Sequence, residues 1–477
     1  MREITHARRS RRPWVVRGHQ TFRSLSRHRN YRLLYAGQLI AAIGQNMADV
    51  ALPWLVLEQT NSPAAVGTLV FFRFAPSLIV GLFAGLAIDR VDARNCLVLT
   101  QGVTFCAIGG LAIMSLAGSL QLWQAYGLAA VVGLAQVFDV PARLTLVYEL
   151  VGRADLQNAV ALNASLYNFA RIAGPALAGI VIAAFGPGWC FVLGAASTLA
   201  MLVALVLVRV EDLIARARGL AGQTLLQGLG EGFAYVRSSP QSRIVLGLTV
   251  AMGLGGFNPL VIVPLLASSL DTGPQAFGLL FACFGTGAVA GGLLSATLGR
   301  TTWRTHLTGA AGIGVGLLAL APTRSVAVDG LLLLLIGASF TVWAANSQTI
   351  LQLAAPDRLR GRIVGFYVFA VLGVQPIGGL LAGWLTAHGG TLLAFAVMGG
   401  TTLAAVVVAA AAAQGTPAVV DHYAPIADPV PPTQIALPRD EVPVDLAAEF
   451  TSMQTVAGTR ARTAPSRTPA TRRESHR

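Results

Sequence analysis

Asp49, Arg73, Asp139, Arg143, Glu149 and Arg171 are ionisable residues set inside runs of apolar sequence. A charge in the middle of a bilayer costs about 2.5 kcal/mol or more, so such residues ordinarily mark a solute pathway, a proton relay or an ion pair. Asp49 and Arg73 lie at matching depths from the connection at 58–64, a placement suited to an ion pair. Two readings stay open for it: Asp49 exchanges a proton that nearby Arg73 tunes, or the pair locks two helices together. Asp139 and Arg143, four apart, share one helical face, and Pro141 between them is expected to bend that helix and free a backbone carbonyl. Arg171 falls near the middle of the next run, where it can face Asp139 across a cavity or hold an anionic group of a solute. Glu149 sits at the end of its run beside Arg153 and Asp155, and a structural role is expected there.

Apolar sequence is what must position these residues. The chain has 477 residues, 54% of them hydrophobic and 12% charged, with mean hydropathy +0.64; a soluble protein carries about a quarter charged residues. Runs long enough to cross a bilayer recur at 33–57, 65–88, 97–117, 122–148, 158–183, 188–209, 242–268, 276–298, 305–322, 327–354, 363–387 and 390–413. The fold class is therefore an all-α polytopic membrane protein of twelve transmembrane helices.

The net charge of +13 rests on 34 basic residues, all Arg, since the sequence contains no Lys. A nucleic-acid partner is excluded by their placement, because they cluster in the tails and in alternate connections. Arg90 and Arg94, Arg153, Arg209 to Arg243, Arg300 and Arg304, and Arg358 to Arg362 occupy one set of connections, whereas the other set holds only Arg324. The positive-inside rule places the first set and both termini in the cytoplasm, and the Arg-only basic set suggests a bacterial source, hence an inner (plasma) membrane. The segments are a basic tail at 1–32 that would sit against anionic lipid, a six-helix bundle at 33–209, a linker with an amphipathic helix at 210–241, a second bundle at 242–413 and a disordered tail at 414–477. Cys96, Cys106, Cys190 and Cys283 show no pairing pattern, and no His or Cys cluster has metal-ligand spacing, so neither metal nor cofactor is expected. Without Lys no phosphate-binding GxxxxGK[ST] loop exists, and no nucleophile–base constellation points to an enzyme.

The two bundles echo each other. "RIAGPALAGIVIAAFG" at 171–186 aligns with "QPIGGLLAGWLTAHGG" at 375–390, and "AVGTL" at 65–69 with "AFGLL" at 276–280. Tandem six-helix units are the usual layout of secondary transporters, with the solute site between the halves.

Between the second and third runs, Gly85, Asp89, Arg90 and Arg94 fit the pattern Gly-x-x-x-Asp-Arg-x-Gly-Arg-Arg/Lys, with Asp92 and Ala93 departing from it. In that position the sequence resembles the major facilitator superfamily. Stretches at 51–67, 141–179, 230–240 and 358–383 resemble its bacterial drug and siderophore exporters of the enterobactin-exporter-like branch. The resemblance implies a proton-coupled exporter, an antiporter of a small amphipathic drug or siderophore working by alternating access as a monomer. It assigns gating to Gly85, Asp89, Arg90 and Arg94. Gly174, Pro175 and Gly179 resemble the Gly-Pro motif of the superfamily's antiporters, a bend that lets neighbouring helices approach closely.

On that reading Asp49, Arg73 and Asp139 are the proton-coupling candidates, and Arg171, Arg143, Asn346 and Gln375 line the substrate cavity. The second bundle has no charge deep in a span; Asn258, Asn346, Gln348 and Gln375 are its buried polar residues, and each could equally bridge helices. Trp54, Phe74, Trp343, Phe366 and Phe369 would suit an apolar cavity or the core. A lysophospholipid transporter of the same fold and a non-transporting receptor or scaffold are the alternatives.

Overall fold

The computed structural model describes residues 22–88, 91–214, 225–255, 257–270, 273–298, 301–356, 359–414 and 416. Most of both expected tails, together with Asp89 and Arg90, lies outside the described residues. No strand occurs among the described residues. The first half contains α1 (Arg23–Arg27), α2 (Arg29–Thr60), α3 (Pro63–Ile88), α4 (Ala93–Leu116), α5 (Leu122–Phe185) and α6 (Pro187–Leu207). The second contains α7 (Leu225–Ser238), α8 (Pro240–Leu254), α9 (Pro259–Ser269), α10 (Pro274–Leu298), α11 (Trp303–Leu320), α12 (Val326–Ala354), α13 (Arg360–Gly373) and α14 (Gln375–Ala413).

Nine helical stretches among the described residues are long and apolar enough to cross a membrane, and two of these are too long for one crossing. As a straight rod the 64 residues of α5 would extend about 96 Å, three times the hydrocarbon core of about 30 Å. The helix instead turns at Gly152, whose φ of 66° lies in the left-handed region that favours glycine. Both arms then return to the same cores: Ala129 and Ala178 share one apolar cluster, and Leu146 and Leu162 share another. α14 turns in the same way at Gly390, φ 68°. With these two hairpins and the 18-residue α11, the architecture is consistent with twelve crossings.

The breaks do not all fall where apolar runs end. The expected connection at 149–157 is helical except at Gly152. The run expected at 242–268 is interrupted between α8 and α9, and that at 363–387 between α13 and α14. The interruptions meet: Asn258, which caps α9, donates from Nδ2 to Oε1 of Gln375 at 2.6 Å. Neither Pro141 nor Pro175 interrupts α5, which runs through both.

Helix direction gives the bundle an Arg-rich end, near Arg94, Arg153, Arg209, Arg243 and Arg362, and an Arg-poor end, near Thr60, Phe185, Pro274 and Gly390. At the Arg-poor end one apolar core joins both halves, from Leu52, Val66 and Ile182 to Leu265, Phe277 and Leu385. At the Arg-rich end the cores are separate, one around Leu97, Leu146 and Met201 and the other around Val245, Ile350 and Tyr367. Among the described residues the apolar core that joins the halves thus lies at the Arg-poor end, and α3 also meets α13, where a methyl on Gly81 would lie 3.8 Å from the Phe369 ring.

Glycines make the seal at the Arg-poor end. A methyl group on Gly179 of α5 would lie 2.5 Å from Cα of Gly278 in α10, and one on Gly67 of α3 would lie 2.5 Å from the carbonyl oxygen of Gly379 in α14. A methyl group on Gly383 would also crowd Gly67, at 3.1 Å from its Cα. The repeat that aligns Gly179 with Gly383 and Gly67 with Gly278 therefore places the same two glycine positions in both crossings.

Candidate functional site

Of the residues singled out in the first half, Asp49, Arg73, Asp139 and Arg143 fall along a polar row through α2, α3, α4 and α5. Asp139 Oδ1 accepts from Arg143 Nε at 3.0 Å and Nη2 at 2.5 Å. Its Oδ2 accepts from Gln101 Nε2 at 2.6 Å and from Thr100 Oγ1 at 3.3 Å, so both carboxyl oxygens are engaged. Asp139 is 7% exposed and Arg143 6%, a pair held away from water. Gln101 Oε1 in turn accepts from Gln45 Nε2 at 3.3 Å. Gln45 and Asp49, four residues apart on α2, share a helical face. Beyond them Arg73 Nη2 donates to Asp49 Oδ1 at 3.1 Å, and the guanidinium lies 5.6 Å from the Phe74 ring centre.

The two acids differ in access. The Asp49 side chain is 32% exposed, whereas its partner Arg73 is packed, with its backbone oxygen so close to α5 that a methyl on Gly133 would lie 2.0 Å away. An accessible carboxylate therefore stands at one end of the row and a packed one at the other; the Gln101 and Gln45 amides extend from Asp139 to the face of α2 that carries Asp49. Breaking a buried ion pair by removing one partner is expensive, and a proton added to its carboxylate changes the balance in the same direction. That is the chemistry this arrangement can perform.

Arg171 stands apart from Asp139, whose oxygens are taken by Arg143, Gln101 and Thr100. Its side chain remains accessible even though its backbone packs on α10, where a methyl on Gly285 would come within 2.9 Å of the Arg171 oxygen. Tyr167, one turn earlier, shares a helical face with Arg171. The bend motif has a packing role: a methyl on Gly174 would meet Cβ of Asn46 at 2.5 Å, so α5 lies directly against α2.

In the second half Asn346, expected among the substrate contacts, is buried and accepts from Thr305 Oγ1 at 2.9 Å. Gln375 is bonded to Asn258, as above, where two helix breaks meet. Trp54 and Trp343 belong to the packed apolar core and its margin, Trp54 stacking on Phe277 at 4.8 Å between ring centres. Asp329, in the first turn of α12, is fully buried. It lies at the end of that span, so the expectation of no charge deep in a second-half span is not touched by it. His306, one turn into α11, is also fully buried, with Nδ1 3.4 Å from Ser347 Oγ.

Of the gating residues, Gly85 lies within α3 and Arg94 bonds to the end of α6, within the first half. Arg94 Nε donates to the Leu205 oxygen at 2.9 Å, satisfying a free carbonyl at the end of α6. Asp92, which departs from the family pattern, caps α4 by accepting from Asn95 N at 2.8 Å.

Sequence reasoning passed over Gln101, Thr100, Gln45 and Tyr167. A signal existed, since Thr100-Gln101 is a polar pair inside an otherwise apolar run. It also passed over the way the elbow at Gly152 is held. Asp155 meets Arg23 at 2.9 Å and His28 at 3.0 Å, while Ser24 Oγ donates to Asn158 Oδ1 at 2.5 Å, so α1 is pinned to α5. Among the described residues no group of three His, Cys, Asp or Glu could hold a metal ion.

The sequence pattern of the family described as transmembrane secretion effector matches residues 21–472. The multidrug efflux pump Tap of Mycolicibacterium fortuitum is 26% identical over 375 residues, 77% of this chain and 91% of its own. The enterobactin exporter EntS of Salmonella choleraesuis is 27% identical over 371 residues, 76% of this chain and 87% of its own. Among solved structures, the nucleoside transporter NupG superposes with TM-score 0.66 at 12% identity, covering 80% of this chain and 99% of NupG. A bacterial homologue of the iron transporter ferroportin gives TM-score 0.61 at 16% identity, covering 81% of this chain and 99% of its own.

Proposed function

Because the chain belongs to the transmembrane secretion effector family of the major facilitator superfamily, we propose that this membrane transporter exports a small amphipathic compound, a drug or siderophore, in exchange for protons. The polar row from Asp49 to Asp139 is the observation that carries the coupling reading. Asp49 collects the proton, the amides of Gln45 and Gln101 hold the intervening helices in register, and Asp139 receives the charge change. Protonation of Asp139 releases Arg143, which then faces Tyr167 and the accessible Arg171. Cargo enters between the separated Arg-rich cores and lies against Arg171, with Gln375 at the helix breaks opposite.

In this reading the Arg-rich end faces the cytoplasm of a bacterial cell, as the distribution of Arg between connections supports. On this reading the cytoplasmic side is the open one and the glycine crossings close the far side. The glycine crossings part as the transporter turns, and Asp89 and Arg90 latch the Arg-rich end in the opposite state. Residues 33–209 and 242–413 are the two rocking bodies, and one chain forms the working unit.

The test uses everted membrane vesicles energised by respiration and a fluorescent amphipathic anion as cargo. Uptake into the vesicles should stop when a protonophore collapses the gradient. Uptake at the full rate in its presence would end the antiport reading.

A further inference from the structure

Two apolar grooves of nearly equal size run along the outer wall of the bundle. The first, of about 570 Å³, lies between α4 and α5 and is lined by uncharged residues such as Val98, Gly102 and Leu128. The second, of about 580 Å³, lies between α8 and α14 and differs in one respect: its lining includes Arg243. Arg243 is exposed and makes no ion pair or side-chain hydrogen bond among the described residues. It belongs to the first turn of α8, which starts at Pro240 behind the Ser239 cap, so the positive pole of a 15-residue helix stands beside its guanidinium.

From that cation the groove descends along regularly spaced small residues. Arg243, Gly247 and Ala251 follow at four-residue intervals on one face of α8, about 6 Å apart along the axis. Ala412, Ala409 and Ala405 form the facing wall on α14. A methyl group on Gly247 would meet nothing within 4 Å, so the floor at that point is open space.

We propose that this groove binds one anionic membrane phospholipid, its phosphate on Arg243 and one acyl chain between α8 and α14. An unpaired cation at the rim with a helix N-terminus beside it asks for an anion, and the apolar trench beneath asks for hydrocarbon. Basic pockets between transmembrane helices recognise anionic headgroups in this way. A second copy of the chain fits less well, because with 34 basic against 21 acidic residues it offers few acids to meet Arg243. The α4–α5 groove, alike in size but without a cation, has no means of selecting a headgroup.

The test is native mass spectrometry of the full chain in mild detergent with equal amounts of phosphatidylglycerol and phosphatidylcholine. The wild type should retain one phosphatidylglycerol in preference. Arg243→Ala should weaken retention about fivefold, the share of one basic residue at the headgroup, and abolish the preference. Gly247→Trp should block both lipids with Arg243 in place, and Gly247→Leu serves if the larger variant fails to fold. Equal retention of the two lipids by the wild type would overturn the proposal. So would phosphatidylglycerol retention unchanged in both the Arg243 and Gly247 variants, or a wild-type dimer that Gly247→Trp converts to monomer.

Discussion

Adding one methyl group at Gly179 should tip the transporter toward the state in which its Arg-poor end is open. In the present conformation that methyl would lie 2.5 Å from Cα of Gly278, against 3.4 Å for the nearest ordinary contact, a shortfall of about 0.9 Å. Backbone stands on the far side, so no side chain can swing away and the two helices must separate. Overpacking of this kind costs about 1–3 kcal/mol. The cost applies only while α5 and α10 touch, so the equilibrium should move about 5- to 150-fold toward the open state. The assay is reaction of an impermeant maleimide with Phe281→Cys, a position buried in the seal, in a background lacking Cys96, Cys106, Cys190 and Cys283. Gly179→Ala and Gly278→Ala should each raise the labelling rate by a factor in that range. Gly400→Ala, where a methyl meets nothing within 4 Å, should leave it unchanged. An unaltered rate in folded Gly179→Ala, or an equal rise in Gly400→Ala, would refute the assignment of the seal to these glycines.

Two further outcomes concern the charged residues. Asp139→Asn leaves Arg143 buried without its counter-charge, a loss of about 3–5 kcal/mol that thermal unfolding in detergent should register. The double variant Asp139→Leu with Arg143→Met should recover that stability while uphill transport stays abolished. Asp155→Ala should speed amide exchange across residues 23–28 by up to about fivefold, since partly exposed pairs contribute at most about 1 kcal/mol; high salt should reproduce much of the effect in the wild type.

Apolar length made the helices legible, because a bilayer demands a fixed span of hydrocarbon-compatible sequence. The same criterion hid the elbow at Gly152. Helix resumes at Arg153 without a loop, and only the backbone freedom of one glycine marks the reversal. It also hid the breaks beside Asn258 and Gln375, because a helix interrupted within an apolar run keeps the composition of an intact one. The pairs within reach of local geometry, such as Asp139 with Arg143, were readable from spacing of four. Partners distant in sequence were harder to read. Nothing near Asp139 says that Gln101, 38 residues earlier, will donate to it, or that Asp155 will gather Arg23 and His28 from 127 and more residues away. Asp329 and His306 sit close to helix ends, where sequence leads one to expect water, and tertiary packing covers them. The repeat fared better: two glycine positions aligned between the bundles lie in the two crossings that join them.

The central claim is that Asp139 carries the coupling proton, and it is tested most directly in liposomes holding the purified chain alone. An imposed pH gradient should drive a fluorescent amphipathic anion uphill through the wild type. Asp139→Asn should let the same cargo equilibrate down its own gradient at a measurable rate yet fail to concentrate it under any pH gradient. Uphill accumulation by Asp139→Asn at the wild-type rate would contradict the account.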